Sequence, residues 1–139
     1  MIGFVLDASV ALRWFLDRPM PLYANRVKQV FLKGVRAVVP ALWHLEMSNG
    51  LVVAERRSIL TPADVDQAVI DIEQLVAQAV DIDSDVIPAR QALTTARTFQ
   101  LFAYDAVYLD LARRKRLPLA TLDDKLRAAA ARGGVELLR

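Results

Sequence analysis

The stretch that decides the fold is Ile2-Gly3-Phe4-Val5-Leu6-Asp7, a short apolar run that ends in an acid. An apolar run of this length is typical of a strand that is buried on both faces, as the strands of parallel sheets are. The sequence therefore predicts a strand over residues 2–6, with Asp7 at its carboxyl end. Ser9 then follows as a candidate cap for a first helix.

Outward from this strand, strand-like and helix-like segments alternate. Further strands are predicted at residues 37–39, 79–82, 117–122 and 135–138, and Thr61-Pro62-Ala63-Asp64 is a typical helix start. Strands that alternate with helices of about ten or more residues favour parallel βαβ units. We therefore expect an α/β fold, a three-layer sandwich with a central parallel sheet. The length of 139 residues suits one domain over residues 1–139.

The composition excludes several classes of protein. With 55% hydrophobic and 24% charged residues, the chain is not a disordered one, and the absence of cysteine excludes disulfides and thiolate metal sites. No apolar stretch reaches the roughly 18 residues of a membrane span, and no basic leader precedes the first strand. We expect a cytoplasmic protein with no membrane partner. The net charge of +2 does not by itself indicate nucleic-acid binding.

Four acids stand out by their positions. Asp7 and Asp123 each follow a predicted strand, and functional groups of parallel sheets lie beyond the carboxyl ends of the strands. Both acids are therefore expected at one edge of the sheet. Glu46 and Asp105 lie in predicted helices among apolar neighbours.

Acids in apolar segments are costly to bury unless a positive group lies between them. Carboxylate oxygens select hard cations, so Mg²⁺ or Mn²⁺ would fit such a site. A cation held in this way can make water nucleophilic and neutralise phosphate charge, which indicates metal-assisted phosphodiester hydrolysis. A Ser-His-Asp hydrolase site is not favoured, since the chain has a single histidine, His44, to which we assign no role.

Four fragments, in this order, carry a family resemblance. They are Val5-Leu6-Asp7-Ala8-Ser9, Glu46-Met47-Ser48-Asn49-Gly50-Leu51, Tyr104-Asp105-Ala106-Val107-Tyr108-Leu109 and Thr121-Leu122-Asp123. Together they resemble the PIN domain, and most of all the VapC toxins of toxin-antitoxin pairs. The resemblance spans essentially the whole chain and implies a PIN-like fold.

The resemblance also implies roles for individual residues. The acids that match the family's catalytic and metal-binding positions are Asp7, Glu46, Asp105 and Asp123. Ser9, Asn49 and Thr121 match its supporting hydroxyl and amide positions. Asp124 is a further acid beside the fourth position, which we assign to Asp123.

A VapC-like protein would be a Mg²⁺- or Mn²⁺-dependent endoribonuclease and the toxin of a type II, VapBC-like pair. Its products would carry a 5′-phosphate and a 3′-hydroxyl. The implied partners are an RNA substrate, a VapB-like antitoxin that occludes the site, and a second copy of the chain in a homodimer.

The four acids also admit purely structural roles. Asp7 and Asp123 could cap helices, Glu46 could be a solvated helix acid, and Asp105 a first-turn acid. The chain could also be a non-catalytic PIN-like module for RNA binding or assembly. A receiver-type phosphoacceptor is disfavoured, because Ala8 and Ser9 follow Asp7 where a second acid is needed.

Two further patterns are given no functional role. Asp81-Ile82-Asp83-Ser84-Asp85 resembles the start of a calcium loop, but the glycine and the glutamate that such a loop needs are replaced by Val86 and Ala92. The aromatic residues Trp14, Trp43, Tyr104 and Tyr108 are expected in the core or at an interface.

Overall fold

The first strand, β1 (Gly3–Leu6), lies at the centre of the computed structural model, which describes residues 3–139. Phe4, Val5 and Leu6 have no exposed surface, so the predicted burial on both faces is confirmed. The predicted first residue of this strand, Ile2, lies outside the described residues.

The other elements follow in the order that a parallel sheet requires. After β1 come α1 (Ala8–Ala11), α2 (Arg13–Leu16), α3 (Leu22–Leu32), β2 (Arg36–Pro40), α4 (Leu42–Arg56), α5 (Pro62–Ala79), β3 (Val80–Asp83), α6 (Ala89–Phe99), α7 (Ala103–Lys115), β4 (Leu119–Ala120) and α8 (Asp124–Arg132). The predicted start of α5 is confirmed, because Thr61 and Asp64 form a capping box.

The sheet contains four parallel strands in the order β3-β2-β1-β4. From β1 the chain moves outward to β2 and β3, and it then returns to the other side of β1 to form β4. The carboxyl ends of β1 and β4 are therefore neighbours, and the Asp7 amide donates to the Ala120 carbonyl at 3.0 Å. In open parallel sheets such a reversal of strand order is where binding crevices form.

Helices cover the sheet and complete the predicted three-layer α/β sandwich. The largest fully buried helical side chains are Trp43, Met47, Tyr108, Leu109, Leu111 and Leu126, from α4, α7 and α8. Because α4 and α8 directly follow β2 and β4, both helices begin at the carboxyl edge of the sheet, and α7 begins there before it returns to β4. Within residues 3–139, no helix is both long and apolar enough to cross a bilayer.

The structure differs from the sequence prediction at Ser9 and in the last two predicted strands, of which residues 117–122 form only the two-residue β4. Ser9 lies inside α1 rather than at its cap, because the helix begins one residue earlier, at Ala8, with Asp7 in the cap position. The predicted strand at residues 135–138 is reduced to an isolated bridge between Leu119 and Leu137. Its partner β4 offers only two residues, since proline at position 118 lacks an amide donor and the chain turns at Thr121.

Candidate active site

Four carboxyl groups meet at the carboxyl edge of the sheet. Asp7 follows β1, Glu46 lies in the second turn of α4, Asp105 lies in the first turn of α7, and Asp123 precedes α8. Each is electrostatically coupled to at least one other: Asp7 raises the pKa of Glu46 and of Asp105, and Asp123 raises the pKa of Asp7 and of Asp105. The structure therefore places each of the four acids that the sequence singled out within electrostatic range of another.

Asp7 is the most enclosed of the four, with 4% of its surface exposed. The hydroxyls of Ser9 and Thr121 each donate to Oδ2 of Asp7 at 2.7 Å. Burial raises the pKa of this carboxyl, and the two hydroxyl donors oppose that change by stabilising the ionised form. Ser9 and Thr121, predicted as supporting residues, thus fix the Asp7 side chain.

The turn after β4 positions Asp123. Thr121 Oγ1 accepts a hydrogen bond from the Asp123 amide at 3.1 Å, and Asp123 Oδ1 accepts one from the Leu126 amide at 2.9 Å. Asp123 is thus a helix cap, as one interpretation of the sequence held, and a member of the acidic cluster as well. Within residues 3–139 its second oxygen, Oδ2, accepts no hydrogen bond, so it is available to a ligand.

Tyr108 fixes the Glu46 side chain, because its hydroxyl donates a hydrogen bond to Glu46 Oε1 at 2.6 Å. Burial raises the pKa of Glu46 to about 7, the neighbouring carboxylates Asp7 and Asp105 add to the rise, and the tyrosine donor opposes it. Burial and the same negative surroundings keep the pKa of Tyr108 far above its usual range. Tyr108 therefore stays protonated and remains a donor.

Asp105 is half-buried, and burial raises its pKa to about 6. Asp123 and Asp7 add to the rise, whereas Lys125 lowers it. As the pH rises through these values, Asp105 and Glu46 ionise at a partly buried site and the like charges repel one another. A divalent cation among them would relieve that repulsion.

The fit of a metal ion can be judged from the donor set. Within residues 3–139, no three His, Asp or Glu side chains lie close enough to coordinate one ion together. Mg²⁺ commonly contacts only one or two carboxylates directly and keeps several waters, so an open ring of hard oxygen donors suits it. Asp7, Glu46, Asp105 and Asp123 are the residues that would hold such a hydrated cation.

Two predicted supporting residues are not engaged in this network. Asn49 lies one turn after Glu46 on α4, but it is exposed, and its side chain makes no hydrogen bond within residues 3–139. Asp124 is also exposed and lies beside Asp123 in the first turn of α8. The hydroxyl network of Ser9 and Thr121 reaches Asp123 and does not include Asp124.

Two residues that support the site were missed by the sequence analysis. Tyr108 was expected only in the core or at an interface, yet it anchors Glu46. Arg127 lies over the ring of Tyr23, 4.7 Å from its centroid, and donates to the Thr121 carbonyl at 2.7 Å. Helical spacing from the acids could have indicated both, since Tyr108 is three residues after Asp105 and Arg127 is four after Asp123.

Comparison with known proteins agrees with this geometry. The family model described as "PIN domain" matches residues 4–132. The structure is similar to that of PAE2754 from Pyrobaculum aerophilum, with a TM-score of 0.67 and 23% identity over 92% of this chain and 84% of that one. It is also similar to FitAcB from Neisseria gonorrhoeae, with a TM-score of 0.66 and 18% identity over 98% of this chain and 96% of that one. The curated proteins give no significant match. The chain belongs to the PIN domain family.

Proposed function

We propose that this protein is a Mg²⁺- or Mn²⁺-dependent endoribonuclease and the toxin of a type II, VapBC-like toxin-antitoxin pair. PIN domains are generally nucleases, which supports the reaction class. The observation that carries the proposal is the gathering of Asp7, Glu46, Asp105 and Asp123 at one sheet edge from four separate segments.

The physical argument is the free-energy cost of placing four carboxyl groups near one another in a partly buried site. Burial of an isolated carboxylate is unfavourable, and a neighbouring like charge adds electrostatic repulsion to that cost. Apolar residues would pack at these positions without this cost. A cluster of this kind is therefore best explained by a positively charged ligand that binds to it.

The bound cation would neutralise phosphate charge and supply a nucleophilic water. Asp7, fixed by Ser9 and Thr121, would help to hold the cation, and so would Asp123, whose Oδ2 accepts no hydrogen bond within residues 3–139. Glu46, with a pKa of about 7, can accept a proton from the attacking water near neutral pH. Cleavage of the RNA strand would then leave a 5′-phosphate and a 3′-hydroxyl.

The proposal includes protein partners: a VapB-like antitoxin and a second copy of the chain. A cleft of about 650 Å³ lies between α2, α3 and α5. Trp14, Phe15 and Phe31 line it with apolar surface, and Arg18 and Asp64 add charges of both signs. Such a cleft, lined by apolar and polar side chains alike, offers space for an amphipathic segment of another chain, which supports an antitoxin partner. Co-purification with the product of a short adjacent reading frame tests this partner.

The activity is tested by incubating the purified protein with RNA in Mg²⁺, in Mn²⁺ and in EDTA. We expect cleavage that depends on the cation, with 5′-phosphate ends, and its loss in Asp7→Asn. Asp66→Asn, which alters an exposed acid on α5, is the matched control and should retain activity. RNA that stays intact under all conditions would contradict the proposal.

The same experiment separates the nuclease from its two alternatives. Binding of RNA without cleavage would indicate a non-catalytic RNA-binding module, and phosphate transfer to Asp7 would indicate a receiver-type phosphoacceptor. Among residues 3–139, no contact favours either of them over the nuclease. In particular, all four acids of the cluster are present.

A further inference from the structure

Two aromatic side chains beside the acidic cluster, Phe102 and Tyr104, are exposed to solvent. The chain has five phenylalanines, three tyrosines and two tryptophans, and all of them lie within the described residues. Eight are buried or half-buried, whereas Phe102 is 72% exposed and Tyr104 is 70% exposed. Both lie just before Asp105 in the chain. Of the two expectations for Tyr104, a position in the core or at an interface, its exposure excludes the core. The two most exposed aromatic side chains of residues 3–139 thus lie next to an acid of the candidate site.

The side chain of Lys125 lies beside these rings and adds a positive charge. Lys125 lies in the first turn of α8, and its ammonium nitrogen is 5.9 Å from the centroid of the Phe102 ring. Lys125 is also near enough to Asp105 to interact with its carboxylate. Two rings from the start of α7 and one ammonium group from the start of α8 therefore border the mouth of the acidic cluster.

From this arrangement we propose that Phe102, Tyr104 and Lys125 form a nucleotide subsite for single-stranded RNA, next to the cleavage position. The inference rests on the proposed function and adds to it how the substrate strand is held. Nucleobases stack on exposed aromatic rings whatever their identity, and lysine binds the phosphate of the same strand. The subsite therefore selects unpaired RNA without selecting a base.

The acidic cluster makes such a subsite necessary. Ionised carboxyl groups repel the RNA backbone, and a cation held among them would offset only part of that repulsion. Stacking on Phe102 and Tyr104 provides binding energy that is independent of charge, and Lys125 neutralises a neighbouring phosphate. A protein partner is a poorer match, since the centres of protein interfaces are depleted in lysine and in acids.

Binding is measured by fluorescence anisotropy with a short 5′-fluorescein-labelled single-stranded RNA of mixed sequence, with Ca²⁺ in place of Mg²⁺ to slow cleavage. We expect Phe102→Ala and Tyr104→Ala each to raise the Kd by roughly 5- to 100-fold. Phe102→Trp, which keeps a stacking surface, should bind nearly as well as the unaltered chain. Ile70→Ala removes an exposed apolar side chain from α5 and should leave the Kd unchanged.

Salt dependence separates the two kinds of contact. Lys125→Ala should reduce the slope of log Kd against log salt concentration by about 0.7, the value for one phosphate contact on a single strand. Phe102→Ala should lower affinity and leave the slope unchanged, because stacking releases no counterions. Double-stranded RNA should bind less tightly than single-stranded RNA to the unaltered chain.

Each possible result supports or overturns the subsite. If the unaltered chain cleaves and binds RNA but the ring variants bind equally well, the subsite is wrong and the nuclease stands. If the chain neither binds nor cleaves RNA, both are wrong. If Phe102→Ala leaves RNA affinity unchanged and alters the oligomeric state in size-exclusion chromatography, the rings belong to a protein interface and the subsite is overturned.

Discussion

The hydroxyl of Tyr108, on α7, donates a 2.6 Å hydrogen bond to Oε1 of Glu46, on α4. The tyrosine has no exposed surface and the glutamate is half-buried, so the contact fixes an acid of the candidate site from inside the core. Glu46 is therefore held by a neutral donor, which restrains its position but leaves its negative charge uncompensated.

This contact predicts the effect of Tyr108→Phe on pH dependence. The tyrosine donor lowers the pKa of Glu46, so its removal should raise that pKa further above about 7. If ionised Glu46 accepts the proton from water, the lower limb of the pH profile of kcat/KM should move to higher pH. Urea denaturation should show a loss of about 1 kcal/mol.

Thr95→Val is the matched control for that variant. It removes a buried hydroxyl that donates to Asp110 Oδ1 at 2.9 Å, where the charged neighbours are Arg113 and Arg114 rather than the four acids of the cluster. A similar loss of stability is expected, with no shift of the pH profile. A Tyr108→Phe profile identical to that of the unaltered chain would show that Glu46 does not control the rate.

The raised pKa values predict how the stability of the metal-free protein varies with pH. The pKa of Glu46 rises from 4.5 to about 7 and that of Asp105 from 3.8 to about 6, so the folded state binds more protons than the unfolded state between these values. The free energy of unfolding from these groups therefore falls as pH rises through that window. Thermal unfolding in EDTA should show it, and Glu46→Gln should flatten the curve.

Addition of Mg²⁺ or Mn²⁺ should reverse this loss above about pH 7, because a ligand that binds only the folded state stabilises it. The measurement is the change of Tm with cation concentration at high and at low pH. An equal effect of the cation on Asp7→Asn would mean that it binds elsewhere.

Asp105→Ala tests whether this acid serves function or structure. Removing one of several repelling carboxyl groups should leave the Tm of the metal-free protein unchanged or higher, while weakening Mn²⁺ binding in calorimetry. Asp66→Ala provides the comparison for an acid outside the cluster. A variant that fails to fold would show that Asp105 is needed for structure.

The Thr121 hydroxyl predicts a combined loss of stability and activity. It donates to Asp7 Oδ2 and accepts from the Asp123 amide, and Thr121 itself is fully buried. Thr121→Val keeps the shape but leaves the Asp123 amide without its partner and Asp7 Oδ2 with the Ser9 hydroxyl alone, at a cost of about 1 to 3 kcal/mol. Chemical denaturation and RNA cleavage should both report the change.

Thr98→Val is the control for this substitution. The Thr98 hydroxyl bonds the carbonyl of residue 94 on the exposed side of α6, so its loss should leave stability within about 0.5 kcal/mol. If Thr121→Val were equally mild, the hydroxyl network would not be what fixes Asp7.

The sequence predicted the fold and the positions of the acids for identifiable reasons. The apolar run before Asp7, the Thr61 capping box and the alternation of strands and helices are local signals, and the structure has all three. The placement of Asp7 and Asp123 at one edge followed from the geometry of parallel strands. Such features depend on chain order and periodicity alone.

The contacts between side chains could not be predicted in the same way. The partnership of Tyr108 with Glu46 depends on how α7 packs against α4, and the exposure of Phe102 and Tyr104 depends on what surrounds the start of α7. Asn49 shares a helix with Glu46, yet it remains in solvent. Sequence spacing shows which residues can meet, and tertiary packing decides which of them do.

The segment that resembles a calcium loop contributes to the outer strand β3 instead. Its acids are paired with cations: Arg36 forms a bidentate pair with Asp81, and Arg114 contacts Asp83 at 2.7 Å and Asp85 at 3.2 Å. At the opposite edge, the backbone of Leu119 bonds residues 136 and 138. Charged pairs and a covering segment are features by which proteins prevent edge-to-edge strand addition. These features disfavour pairing of either sheet edge with a strand from another chain, which leaves helices and loops as the surfaces best suited to association.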